Sequence, residues 1–172
     1  MSLFSGVDRA LRRASYLGFL AAAALLLVVG LLGAADVVST NLLLQPIPGM
    51  VELSGALLAV IVFLGLAEAQ ARGSNIVIDV ATQHMGRTAK RISSIFSLTL
   101  GTAFMALVAW KATELAASSW KFHETALGAL SFPLAPFKSV ACFGAWLSVA
   151  EFGRQLAYQI AGLDASGERP HD

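Results

Sequence analysis

The chain alternates long apolar runs with short polar connectors. Tyr16–Ala35 is a stretch of 20 residues without a charge, rich in Ala and Leu, and Ile92–Trp110 is another of 19. At 1.5 Å of rise per helical residue, each matches the ~20 apolar residues that cross a hydrocarbon core of ~30 Å. Val51–Ala71 is equally apolar, with Glu52 and Glu68 near its ends and 15 uncharged residues between them. A fourth region, Phe132–Ala150, is interrupted by Lys138 and carries Pro133 and Pro136 at its start, so its helix begins near the prolines. The pattern predicts an all-α membrane protein with four transmembrane helices, over about residues 14–40, 49–71, 91–112 and 131–153. They form one domain over residues 1–163.

The connectors differ in character. Asn41–Gly49 holds Pro46, Pro48 and Gly49 and no charge, which reads as a helix stop and a short loop. Glu52 follows in the first turn of the second helix, where the helix dipole favours a carboxylate; capping and a polar contact with a partner are both open to it. Between Arg72 and Arg91, Ile76, Val77, Val80, Ala81, His84 and Met85 recur at helical spacing, opposite Asp79, Gln83, Arg87 and Lys90. This predicts an amphipathic helix lying in the interface, although Ile76–Ile78 also suits a short extended piece. After Trp110 come Lys111, Glu114, Trp120, Lys121, Phe122, His123 and Glu124, a boundary mixture of aromatics and charges that continues the third helix beyond the bilayer. Residues 164–172 are polar with Gly and Pro, and are expected to be a disordered tail.

Charge supplies the orientation. Arg9, Arg12, Arg13, Arg72, Arg87, Lys90, Arg91, Arg154 and Arg169 fall on one side of the four spans, whereas Lys111, Lys121 and Lys138 fall on the other. The positive-inside rule places both termini in the cytoplasm. Three Arg before an apolar run also resemble a signal peptide, but the run exceeds a signal core of ~7–15 residues and cleavage would upset the alternation. Composition agrees with the pattern: 56% hydrophobic, 13% charged, mean hydropathy +0.70. A net charge of +1 offers no footprint for nucleic acid, and the lone Cys142 permits neither an intrachain disulfide nor a cysteine metal site.

Candidate chemistry is sparse. His84, His123 and His171 lie in connectors and tail, away from where haem ligands would sit, and neither a nucleophile with its base nor a metal-ligand motif occurs at membrane depth. No cofactor is expected. Only Lys138 and Glu68 approach the membrane interior, too little for a solute path lined by this chain alone, which suggests an accessory subunit. Lys138 either snorkels outward or pairs with an acidic group such as Glu52 or one from a partner. Gly18, Ala22, Gly55, Ala59, Gly65, Gly101 and Gly144 are the small residues able to bring helices close, within this chain or against another.

Asp36-Val-Val, Pro46-Ile-Pro-Gly49, Val51-Glu52-Leu53, the Val-Phe-Leu-Gly-Leu-Ala of 62–67, and Gly73 with Ile76 and Asp79 form a recognisable series, continued by Trp120, Phe132-Pro133 and Lys138. It resembles the small membrane subunit (DctQ-type) of the tripartite ATP-independent periplasmic (TRAP) transporters, over about residues 10–160. The chain departs from that pattern at Thr40, where an arginine is common, and at Asn75, where a histidine is common. The resemblance implies a bacterial inner-membrane system in which a periplasmic binding protein (DctP-type) delivers an organic anion to a large transporting membrane subunit (DctM-type). Coupling to an ion gradient, usually Na⁺, belongs to that large subunit. It also implies that this chain is a scaffold in which Asp36, Glu52, Glu68, Asp79 and Lys138 are structural or partner contacts. The readings set against it are a self-sufficient homo-oligomeric transporter or channel and, third, a membrane enzyme acting through Glu68, His84, His123 or Lys138.

Overall fold

A computed structural model describes residues 2–72, 87–128 and 130–161. The interfacial helix expected over 72–91, Asp79 with it, and the expected tail lie almost wholly outside those residues. Among the described residues there are four helices, α1 (Ser2–Leu43), α2 (Met50–Ala71), α3 (Arg87–Lys121) and α4 (Ala135–Ala161). The first three each contain an expected apolar run, and α4 contains all but the first three residues of the fourth. Among them, α1, α2 and α3 are long and apolar enough to cross a membrane. The expected fourth span differs: α4 is long enough, but Lys138, Glu151 and Arg154 dilute its apolar character. Its start is also later than 131, because Phe132 and Pro133 belong to the preceding loop, and Pro136 takes a first-turn position where no N–H is needed.

The helices pack as a row. α2 lies between α1 and α4, α4 lies between α2 and α3, and α1 reaches across to touch α4 as well. Ala22, Val60, Ile61 and Leu64 form the buried core between α1 and α2, with Leu25, Val29 and Phe137 packed against it. The closest approach is at Gly144, where a Cβ would stand 2.6 Å from the backbone carbon of Phe63; only a hydrogen fits between α2 and α4. Gly101 likewise receives the ring of Phe152, and Gly18 receives Leu64 and Leu147. Gly55 and Gly65 face open space, so they play no part in packing within the chain.

Most large side chains point outward. Leu27, Leu31, Val37 and Leu42 on α1 and Ile92, Phe96, Leu100, Phe104 and Leu107 on α3 are all more than half exposed. In water such surfaces would drive aggregation; against lipid tails they incur no penalty.

Candidate functional site

The polar side chains gather at the two ends of the row, and nearly all of them meet on α4. At the end where α1 begins and α4 finishes, Glu151 is fully buried and Arg154 nearly so. Arg154 donates to Glu151 one turn back and, through Nη1, to Asp8 of α1 at 2.8 Å. A carboxylate with no exposure is tolerable only when paired in this way. One turn on, the Gln155 amide donates to the carbonyl of Gln70 at 2.5 Å, and the Gln70 amide returns a bond to Gln155 Oε1 at 2.8 Å. Arg91 of α3 donates to the carbonyl of Ile160 at 3.1 Å, and Arg72 donates to buried Glu68 at 2.9 Å while its guanidinium lies over Phe19. Every helix is thus tied there by side chains.

At the opposite end the ties are more open. Lys138 donates to Glu124 at 2.6 Å, and Ser119 donates to the same carboxylate oxygen at 2.5 Å. These donors hold the Glu124 carboxyl below the usual carboxylate range, the Lys138 bond contributing most. Trp120 donates to Ser139 and Trp146 to Thr113, which joins α3 to α4. Lys111 and Trp110 both donate to Glu114, so Glu114 is engaged on its own helix. The loop between α3 and α4 is pinned by Ala126 N–H to Phe132 and Leu134 N–H to Glu124, across the Thr125–Pro133 bridge. Gly49, at φ 74°, starts α2 in a left-handed conformation with its Cα against Leu130, where a Cβ would stand 2.7 Å away.

The residues singled out from sequence are therefore scattered. Asp36 accepts the Ile47 N–H at 2.7 Å and, with Ser39 bonded to the carbonyl of Gln45, closes the first loop. Glu52 does lie in the first turn of α2, but it packs against Gly128 of the far loop. Lys138 finds its partner in Glu124 and not in Glu52. The reason is position, since the Glu124 N–H is held by the Ser119 carbonyl at the end of α3 while its own carbonyl accepts from Leu134 N–H, just before α4. Glu68 pairs with Arg72 at the C-terminal end of α2, and Asp79 lies outside the described residues.

The tie of Asp8, Glu151 and Arg154 and the Gln70–Gln155 pair are absent from the sequence reading. Glu151 and Arg154, three apart in an apolar helix, are a readable pair; Asp8 and Gln70 carry no such signal. Among the described residues no cluster of His, Cys, Asp and Glu is able to hold a metal ion. An open groove of about 280 Å³ runs between α2 and α3 over α4, lined by Gly55, Ala59, Phe63, Leu115, Phe137 and the stem of Lys138.

Residues 29–162 match the family model described as tripartite ATP-independent periplasmic transporters, DctQ component. The chain belongs to the DctQ family. That match runs from the middle of α1 through the whole of α4, so the family's pattern covers all four helices. DctQ proteins are small permease subunits of TRAP transporters, a family of transporter components and not of enzymes. No curated protein matches the chain.

Proposed function

We propose that the chain crosses the bacterial inner membrane four times, with both termini in the cytoplasm, and acts as the fixed scaffold beside a DctM-type transporting subunit. In that reading a DctP-type binding protein delivers an organic anion, a carboxylate or similar compound, and an ion gradient drives its uptake through the large subunit. The carrying observation is how the deep polar groups are used. Glu68, Gln70, Glu151, Arg154, Gln155 and Lys138 all bond to other side chains or backbone of this chain, all but Glu68 across elements or beside such a tie, so they are engaged in holding the bundle and are not presented to a solute. A path across a membrane needs such groups facing a cavity, and the groove over α4 is apolar apart from Lys138. The exposed apolar faces of α1 and α3 leave ample surface for lipid and for a larger neighbour.

Reconstitution tests this. The three components together in liposomes should accumulate an organic anion under an imposed ion gradient, and omission of this chain should abolish or sharply reduce uptake. Uptake by this chain alone would overturn the scaffold reading and restore the self-sufficient transporter.

A further inference from the structure

The charged residues that bound each apolar run do not lie at one height in the bundle. Contacts between helices supply a common ruler along α4: Gly18 of α1 meets Leu147, Phe63 of α2 meets Gly144, and Gly101 and Thr113 of α3 meet Phe152 and Cys142. Counting 1.5 Å per residue from Leu147 toward the outer end, Asp36 stands about 27 Å away, Glu52 about 21, Lys138 about 14 and Lys111 about 6. Toward the inner end, the first cations are Arg13 at about 8 Å, Arg72 at about 9, Arg154 at about 11 and Arg91 at about 22; on α2 and α4 the carboxylates Glu68 and Glu151, each paired with its cation, come earlier at about 3 and 6 Å. The outer charges and the inner cations step the same way across the row, from α1 through α2 and α4 to α3.

An upright bundle would therefore sink Lys111 and Glu114 of α3, both more than half exposed on their side chains, to a depth where α1 is surrounded by hydrocarbon. It would also lift the start of α1's apolar run above that of α3. We propose that the subunit sits slanted in the bilayer, leaning in the plane of the row so that the two staircases become the two membrane surfaces. Packed helices stand 8–10 Å apart, so the three gaps of the row separate α1 and α3 by about 24–30 Å, and steps of about 14 and 21 Å need a lean of roughly 25–40°. This lies toward the upper end of the 0–40° range of spanning helices. α4, in the middle, has only 12 uncharged residues between Lys138 and Glu151. Its charges fall on the sloping surfaces, where snorkelling and pairing keep them satisfied. The inference rests on the four helices crossing the membrane.

Single cysteines read the slant. In a Cys142→Ala background, Val28→Cys on α1 and Ala117→Cys on α3 are at equal height in the bundle, as are Ala10→Cys and Leu100→Cys; all four positions are exposed. With the full chain in sealed vesicles, an impermeant maleimide applied to either face should label Ala117→Cys and Ala10→Cys about tenfold faster or more, from opposite faces, than Val28→Cys and Leu100→Cys, because only a hydrated thiolate reacts. Equal rates within each pair would overturn the slant. Labelling of all four from one face would instead overturn the crossing on which it rests. Should Ala117→Cys fail to fold, Ser118→Cys, also exposed, replaces it.

Discussion

In the proposed orientation, the inner end of the row (Glu151 and Arg154) and its outer end (Glu124 and Lys138) are both tied to α4 by polar side chains, yet the two sets of ties stand in different surroundings. At the inner end Glu151 has no exposure, Gln70 and Gln155 are buried, and Arg154 is almost enclosed. At the outer end Glu124 is nearly half exposed and Lys138 about a quarter. A buried ion that loses its partner keeps its desolvation cost with nothing to offset it, whereas an exposed one turns to water. The inner end should therefore be brittle and the outer end forgiving.

The sharpest way to break that contrast is Arg154→Leu, which leaves Glu151 buried and unpaired. We expect a loss of about 3–5 kcal/mol, seen as poor recovery from detergent and a large fall in Tm. Lys138→Met should change Tm far less, and an equal effect would remove the distinction between the ends. Adding Glu151→Leu to Arg154→Leu should recover much of the loss, since an apolar pair of similar volume carries no such penalty. Next in size is Gly144→Val, whose methyls collide with the Phe63 backbone; about 3 kcal/mol should be lost in thermal unfolding, whereas Gly55→Val, facing open space, should be nearly neutral. Gln70→Leu removes the bond from the Gln70 amide to Gln155 Oε1 while keeping the one from Gln155 to the residue-70 carbonyl, and should cost about 1 kcal/mol in the same measurement. The smallest effect concerns pH. The Glu124 carboxyl is depressed on folding, so its contribution is whole above its unfolded pKa of about 4.3 and disappears as pH falls through the lower folded value. The Tm difference between the wild type and Glu124→Gln should accordingly close under acid and stay constant near neutrality.

Much of the architecture was legible because charge in hydrocarbon is so costly that its absence marks a span; Tyr16–Ala35 and Ile92–Trp110 fall inside α1 and α3 for that reason. The extension of α3 to Lys121 was legible from the uninterrupted helical sequence around Glu114. Side-chain pairing was far less so. Lys138 was recognisable as a group that either snorkels or pairs with an acid, but pairing with Glu124 depends on where the 122–134 loop folds, which spacing does not encode. The link from Asp8 to Arg154 joins residues 146 apart and leaves no local trace. Small residues had the same ambiguity: Gly144 and Gly55 look alike in sequence, yet one is pressed against a backbone and the other faces open space.

One feature of α4 bears on how the bundle is made. It touches each of the other helices, and among the four it is the last to be synthesised. While the ribosome is still working, α1 and α2 can meet as a hairpin, but α3 must wait in lipid without its main neighbour, and the bundle closes only when the final helix enters like a bolt. Truncations before Ala135 should thus leave a hairpin and a stray helix, open to quality-control proteases, and not a smaller version of the same subunit.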